Sequence, residues 1–368
     1  MNRRLTQVIW MGILLAGPAA AQSIAGEVNA GLPNWLQFGG LFRTRYEGFL
    51  DRGFTQGQND VHLINRLRLD LRLRATRWLQ FLFEGQDARI YFERSVPNAP
   101  PFANPMDLRL GYVQLGDTDQ STVSLRAGRQ DLIFGEQRLL GNFNWINVGR
   151  SFDAVRLTIQ HGGYRVDAFA SSVVNPTSEG FDRPQTGNNL HGLYGSIGKL
   201  VPGATIEPYV LWRLAPQQVS ENGARGTLDF KTIGVRWVGK AELVDYGLEM
   251  AGQVGTLGPD RVRSWAGHWV AGYTIPSATW QPRFSGEYNY VPEIVTRMTR
   301  FAARLTFFIR RRTISWDSAI RSDGGISRIS GWAGTPSQRV SSVSLGIIII
   351  GGWRAPGMRF TRRSDCRS

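Results

Sequence analysis

The stretch RLRLDLRLRA, residues 66 to 75, alternates charged and apolar side chains. On a helix the arginines would spread around every side and leave no apolar stripe to bury. On a strand the leucines and Ala75 share one face, and the charged side chains share the other. The alternation therefore predicts a β-strand with one apolar face and one wet face. Such a strand suits either a soluble antiparallel sheet or a membrane barrel with lipid outside and a polar lumen.

Similar alternating segments recur through residues 22–290, and clusters of Gly, Asn, Asp or Pro separate them, as is typical of turns. Clear examples lie at 35–49, 78–86, 154–160 and 164–170, and weaker ones at 193–199, 205–213, 231–239, 243–254, 262–274 and 279–290. We predict an all-β antiparallel fold of about a dozen strands, with no helix. Residues 22–290 show no linker or break in composition, so we treat them as one domain.

The N-terminus predicts export across the inner membrane. Residues 1–21 combine a basic start, an apolar run from Val8 to Ala16 and an A-x-A site at Ala19 to Ala21. This composition is typical of a cleaved signal peptide, the alternative being an uncleaved anchor. No later stretch is long enough for a membrane helix. The single cysteine, Cys366, excludes an internal disulfide within one chain.

Tryptophan and tyrosine tend to lie near the ends of the segments, as at Trp35, Trp78 and Tyr273. The two interfaces of a bilayer favour such rings, although a soluble sandwich could use them as core plugs. Together with the export signal, they favour an outer-membrane β-barrel over a soluble sheet. Each arginine turned toward the bilayer centre would cost about 2–4 kcal/mol, so we expect Arg66 to Arg74 to face a lumen.

Two motifs stand out in the middle of the chain, VSLRAGRQDLIFGEQRLLG at 123–141 and NWINVGRSFDAVRL at 144–157. They resemble the alginate export family of bacterial outer-membrane proteins, and weaker likeness continues in HGLYGSIG, DYGLEMAGQVG, WAGHWVAGY and FSGEYNY. The resemblance covers most of residues 35–290. It implies a monomeric barrel of roughly eighteen antiparallel strands. It also implies an arginine-rich lumen that passes an anionic, alginate-like polysaccharide or smaller anionic solutes.

Arginines on the polar faces of the segments predict the same function independently. A guanidinium donates paired hydrogen bonds to carboxylates and stays charged, so a lumen lined with them should attract anions. The predicted lining residues are Arg43, Arg45, Arg66, Arg68, Arg72, Arg74, Arg126, Arg156 and Arg165. In the alternative hypothesis, these arginines form ion pairs with Glu47, Asp70, Glu84 and Asp167 that stiffen the wall without selecting solutes.

A second group lies in the family-like motifs. We predict that Arg129, Arg138, Arg150 and Asp153 fold inward as a constriction. Strict alternation would turn Arg129 toward lipid, so we assign it to a bend or strand end. Residues 173–192 are predicted to form a long extracellular loop.

Charge along the chain excludes nucleic acid as the partner. Two of the 14 net positive charges lie in residues 1–21 and ten in residues 291–368, which leaves two for residues 22–290. The basic excess therefore belongs mainly to the C-terminal tail. Tail codons shifted by one base permit SGDRNPNDAF directly after Tyr290, which resembles a continuation of the family. We predict a frameshift near codon 290, the alternative being a genuine basic extension.

Several functional alternatives stay open from the sequence. A barrel short of strands would leave backbone groups unpaired in hydrocarbon, so the chain could be a non-functional truncated product. It could also be a non-conducting structural barrel. A hydrolase is disfavoured because His62, His161, His191 and His268 form no metal-spaced cluster or nucleophile motif. We predict no cofactor, no metal, and outer-membrane lipid as the surrounding partner.

Overall fold

The computed structural model describes residues 26–49, 59–94, 96–117, 121–178, 180–220, 223–276, 283–290, 301–302 and 341–348. The predicted signal peptide at 1–21 lies outside these residues, as does most of the predicted frameshifted tail. A short helix at 26–30 precedes the first strand. No helix in the described part is long and apolar enough to cross a membrane.

The rest is built from β-strands joined in one sheet. The strands are β1 Leu36–Phe49, β2 Asp60–Arg74, β3 Leu79–Tyr91, β4 Asn104–Leu115, β5 Val123–Gln130, β6 Phe152–His161, β7 Tyr164–Asn175, β8 Arg183–Ile197, β9 Ala204–Val219, β10 Arg225–Ala241, β11 Val244–Leu257, β12 Asp260–Thr274, β13 Arg283–Tyr290, β14 Phe301–Ala302 and β15 Ser341–Ile348.

Each strand from β1 to β12 pairs antiparallel with the strand that follows it in sequence, which is the simplest up-and-down order. β15 continues the sheet beyond β13, and β14 adds a short parallel pairing to β12. Among the described strands β1 has only β2 as a partner, so the sheet is not closed into a barrel. The predicted all-β antiparallel fold, incomplete as a barrel, is confirmed.

Apolar and charged side chains lie on opposite faces of the sheet, as the alternation predicts. We call the face that carries Leu67, Leu69 and Leu71 the outward face, and the opposite one the inward face. Leu69 is 46% exposed, whereas Arg66, one residue from Leu67, is only 1% exposed. A solvated globule would show the reverse pattern, with leucines buried and arginines outside. The leucines therefore lie on the side that a bilayer would cover.

The connections differ strongly between the two ends of the strands. One end, which we call the short-turn end, carries turns such as 75–78, 162–163 and 242–243. The other, which we call the long-loop end, carries residues 50–59, 92–103 and 131–151 between β1 and β2, β3 and β4, and β5 and β6. Exposed outward rings gather at the short-turn end, at Trp35, Trp78, Tyr164 and Tyr273.

The structure adds to or differs from the sequence analysis in three segments. β4 is not among the predicted segments, because its alternation is broken by a bulge at Arg109. The loop predicted at 173–192 spans only 176–182, since β7 and β8 extend into it through antiparallel pairing. The tail is not irregular throughout, because β15 pairs with β13 from Tyr290 to Arg283.

The connection between β5 and β6, residues 131–151, packs against the inward face. We call it the inner loop. Its apolar side chains Leu132, Phe134, Leu139 and Leu140 join a buried cluster with side chains of β6 to β12. The ring of Phe134 stacks on Tyr194 and on Phe169, with centroids 4.6 and 5.3 Å apart. Burial of these side chains holds the loop inside the sheet rather than above it.

Candidate functional site on the inward face

The inner loop runs across the concave side from β1 and β2 to β10–β13, and the candidate site is the surface between it and these strands. Its second half, residues 141–151, contacts β1, β2 and β3 through hydrogen bonds. Its first half reaches β10 through Glu136 and β12 through Arg138. Any solute that crosses along the inward face therefore passes this loop.

Arginines of β1 and β2 bind the loop through backbone carbonyls. Arg43 donates to the carbonyls of Asn144 and Ile146 at 3.0 and 3.2 Å, and Arg66 donates to the same two carbonyls. Arg45 donates to the carbonyl of Trp145 and also pairs with Glu47. Among the described residues neither Arg43 nor Arg66 has a carboxylate within 4 Å. Carbonyls satisfy the Nη donors that contact them but leave the two positive charges in place.

Arg68, one inward position further, is held by neutral groups as well. Its Nε donates to Gln86 Oε1 and its Nη1 to Asn144 Oδ1, both at 2.7 Å, while Glu84 lies 3.7 Å away. Gly149 turns the loop here with a φ of 79°, and a Cβ at that residue would lie 3.1 Å from Arg68 Nη2. The loop thus passes directly against the arginine row of β2.

Arg109 is a functional candidate that the alternation did not reveal. It is the extra residue of a β-bulge, because Glu84 pairs with Leu110 and Gly85 with Leu108. A bulge re-aims a side chain, and here it turns Arg109 inward. Its two Nη atoms donate to Glu84 and Asp131, each at 2.7 Å, and it is 6% exposed. Asp131 opens the inner loop, so this pair fixes the loop at its base.

Strands β10 to β13, opposite β1 and β2 across the inward face, carry charges of both signs around the first half of the inner loop. A cavity of about 340 Å³ is lined there by Glu136, Arg138, Arg236, His268, Arg283 and Glu287. Burial would raise the pKa of Glu136, but the neighbouring Arg138 and Arg236 guanidiniums outweigh it and lower that pKa. Arg236 bridges Glu136 and Glu207, so the loop carboxylate stays ionised and anchored to β10.

The remaining predicted lining arginines lie toward the short-turn end. Arg126 donates to Gln114 and lies 4.4 Å over the ring of Tyr112. Arg156 and Arg165 both pair with Asp167 at 2.9 Å, as the structural alternative requires. Arg72 and Arg74 are exposed on the inward side of β2.

The predicted constriction group divides in two. Arg138 and Arg150 lie on the inner loop, and burial lowers the pKa of Arg150, whose guanidinium is 5.6 Å from the ring of Phe143. The inward position predicted for Arg129 and Asp153 is corrected. These two residues pair with each other at 2.8 Å on the outward face, next to the long-loop end of β5. The outward ion pair neutralises Arg129, which agrees with its assignment to a strand end.

Sequence reasoning missed Arg109, Arg236 and Asn147. Arg236 lies in the alternating segment GVRWV, so the alternation was sufficient to predict its inward position. Asn147 is 1% exposed and its Nδ2 lies 2.8–3.2 Å from the carbonyls of Phe102, Asn65 and Arg89. No sequence pattern predicts that contact, because it joins three separate elements. Across the described residues no group of three or more His, Cys, Asp or Glu side chains could hold a metal ion.

The model of the alginate export family matches residues 34–291. The chain belongs to the alginate export family. This confirms the resemblance carried by the motifs at 123–141 and 144–157. No curated protein sequence matches the chain.

Two solved structures are similar to the chain at low sequence identity. OccD3 (OpdP) of Pseudomonas aeruginosa is 14% identical with a TM-score of 0.42, covering 70% of this chain and 58% of its own. OprB of Pseudomonas putida is 11% identical with a TM-score of 0.41, covering 69% and 74%. The chain thus spans less than two thirds of OccD3.

Proposed function

We propose that the protein is an anion-selective export channel whose solute passes along the inward arginines and beneath the inner loop. The substrate class is an anionic polysaccharide, or smaller anionic solutes, that carries carboxylates. Family membership supports export or diffusion through the outer membrane, and the inward face supports the choice of charge.

The observation that carries this proposal is the carbonyl-bound arginine pair Arg43 and Arg66. An arginine held by a carboxylate contributes little field, because the two charges cancel at a short distance. Arg43 and Arg66 instead keep their charge and face each other across the β1–β2 ladder. Two positive charges that no carboxylate cancels create a field along the inward face that attracts anions and repels cations.

The test is ion selectivity of the full chain in a planar bilayer under a salt gradient. We expect a reversal potential of the sign for anion preference. In the double variant Arg43→Gln with Arg66→Gln, the anion-to-cation permeability ratio should fall about twofold or more, since glutamine keeps a donor for the loop carbonyls but loses the charge. Arg263→Gln is the matched control, because that residue is exposed on the outward face of β12. Cation preference in the unaltered chain would refute the proposal.

A second function has support from the apolar cluster of the inner loop. Phe134, Leu139 and Leu140 fill part of the inward face, so the protein could be a plugged, non-conducting barrel. In that case the same bilayer experiment gives no conductance, although the chain inserts. Insertion is followed independently by protection of the strands from protease.

A further inference from the structure

A basic patch lies on the outward face near the long-loop end of β10 and β12. It consists of Lys231, Arg261 and Arg263, all exposed. On β10, Lys231 is followed toward the short-turn end by the apolar outward residues Ile233 and Val235. On β12, Arg263 is followed in the same direction by Trp265, Trp269 and Tyr273. The patch therefore sits at the border where the apolar outward band ends.

The pairing of the strands brings the three cations together. Lys231 is opposite Val254 on β11, and Val254 is opposite Arg263 on β12. Neighbouring strands are about 4.8 Å apart, so the Cα atoms of Lys231 and Arg263 are separated by about 10 Å. Arg261 and Arg263 are separated by about 7 Å along one strand. Side chains of this length can converge on one anionic group above β11.

The sheet itself does not neutralise this patch. Elsewhere near this end of the outward face the arginines have acidic partners: Arg89 pairs with Asp87 at 2.9 Å, and Arg129 with Asp153 at 2.8 Å. Among the described residues Arg261 and Arg263 have no ion pair.

Among the described residues, the carboxylate beside the patch is Asp229, whose single negative charge lies next to three positive ones. Asp229 on β10 accepts a hydrogen bond from the indole Nε1 of Trp212 on β9 at 2.8 Å. The ammonium of Lys231 lies 5.4 Å from the centre of the same indole ring. This cation–π contact positions the lysine without cancelling its charge. The patch thus carries three positive charges at the edge of an apolar surface.

The position in the membrane identifies the chemistry of the ligand. Barrels of the bacterial outer membrane have short turns on the periplasmic side and long loops outside, so the patch lies in the outer leaflet. An anion at this depth is a headgroup phosphate whose acyl chains extend down over Trp265 and Val235. Arginine binds phosphate with paired hydrogen bonds, and the low-dielectric surroundings strengthen the attraction.

We propose that Lys231, Arg261 and Arg263 form a binding site for the phosphate of an acylated, phosphorylated glycolipid of the outer leaflet. The site is on the outward face and does not depend on conduction along the inward face. Its function is to fix a lipid against β10–β12, where the sheet continues toward its last described strands.

The test is lipid titration of the detergent-solubilised full chain followed by native mass spectrometry. The probe is a diphosphorylated, acylated glucosamine disaccharide, and its dephosphorylated form is the comparison. We expect the unaltered chain to bind the phosphorylated lipid about tenfold tighter than the other, consistent with charge-assisted binding. The triple variant K231Q/R261Q/R263Q should lose this difference. The matched control R77Q/K199Q/K240Q removes three cations near the short-turn end and should keep it.

Three results would overturn the proposal: equal binding of both lipids by the unaltered chain, unchanged preference in the triple variant, or displacement of the lipid by millimolar inorganic phosphate, which would mark a site for the free ion. If the triple variant does not fold, as judged by its mobility on unheated gels, R263Q alone is used, and it should lower the preference for the phosphorylated lipid at least about threefold.

Discussion

The carboxyl of Asp182, in the loop between β7 and β8, shows how single contacts set the chemistry of this sheet. It accepts hydrogen bonds from the backbone N–H of Thr177 and from Asn104 Nδ2, both at 2.8 Å. Its own backbone N–H donates to Asp107 Oδ2 at 2.7 Å. Burial, together with the nearby Asp107 carboxyl, raises the pKa of Asp182 to about 7. The docked loop therefore favours the protonated acid.

We predict that docking of residues 176–182 weakens as the pH rises. A carboxyl whose pKa is raised in the folded state contributes its stability at low pH. That contribution is lost between its ordinary value near 4 and about 7. Hydrogen exchange of the Asp182 backbone amide, which donates to Asp107 Oδ2, should accordingly be slower at pH 5 than at pH 8, after correction for intrinsic exchange.

Asp182→Asn supplies the comparison for this prediction. The side-chain amide cannot ionise, so protection of the backbone amide at residue 182 should become independent of pH in this variant. Glu242→Gln, in the turn between β10 and β11, should leave the pH dependence of the unaltered chain in place. Equal pH dependence in D182N and the unaltered chain would contradict the assignment to Asp182.

At the scale of single strands, alternation predicted most of the sheet because lipid and water impose opposite demands on neighbouring residues. β2 is the clearest case, since each arginine on the wrong face costs about 2–4 kcal/mol. The same reasoning did not predict β4. Its sequence MDLRLGYVQL would place Arg109 and Val113 on one face by strict alternation, toward lipid. The bulge turns Arg109 inward, so the arginine does not face lipid. Bulges have no reliable sequence pattern, so the sequence did not predict this.

The candidate site was predictable only in part for a similar reason. Strand period assigns Arg43 and Arg66 to the inward face but does not say what covers them. The inner loop is that cover, and its contacts come from residues up to about a hundred positions away, such as Arg43 with Asn144. Long-range contacts of this kind depend on how the whole sheet curves, which a local pattern does not encode.

We predict that Arg109→Leu destabilises the sheet strongly. The change leaves Glu84 and Asp131 without the cation that both contact at 2.7 Å. Breaking a buried ion pair by removing one partner typically costs about 3–5 kcal/mol. Arg72→Leu, an exposed inward residue of β2, should change stability by less than about 0.5 kcal/mol.

Urea unfolding in lipid vesicles measures both changes, followed by tryptophan fluorescence. A loss in R109L no larger than that in R72L would mean that the bulge does not anchor the inner loop. A large loss in R109L restored by Glu84→Gln with Asp131→Asn would support the buried-charge explanation, since the second change removes the unpaired carboxylates.

In the molecule as a whole, the open edge of the sheet leaves backbone groups unpaired, whereas the inner loop connects distant strands. The free edge of β1 has no partner among the described strands. Backbone groups left unpaired in hydrocarbon cost several kcal/mol each, so a closed barrel requires further pairing at that edge. The inner loop, by contrast, already joins distant walls, from Arg43 on β1 to His268 on β12. It acts as an internal brace whose position also determines the width of the path.

Releasing this brace should widen the path, and Asn147 is the residue to change. In Asn147→Ala, the carbonyls of Asn65, Arg89 and Phe102 lose the amide that they share. Leaving buried acceptors unpaired costs about 1–3 kcal/mol, enough to raise the population of a detached loop several-fold or more. Single-channel current in the bilayer should then be larger and noisier than in the unaltered chain. Asn188→Ala removes a half-buried amide whose Nδ2 donates only to Gln185 among the described residues, and it should not change the current. An unchanged current in N147A, with the loop shown by proteolysis to be released, would mean that the constriction lies elsewhere along the inward face.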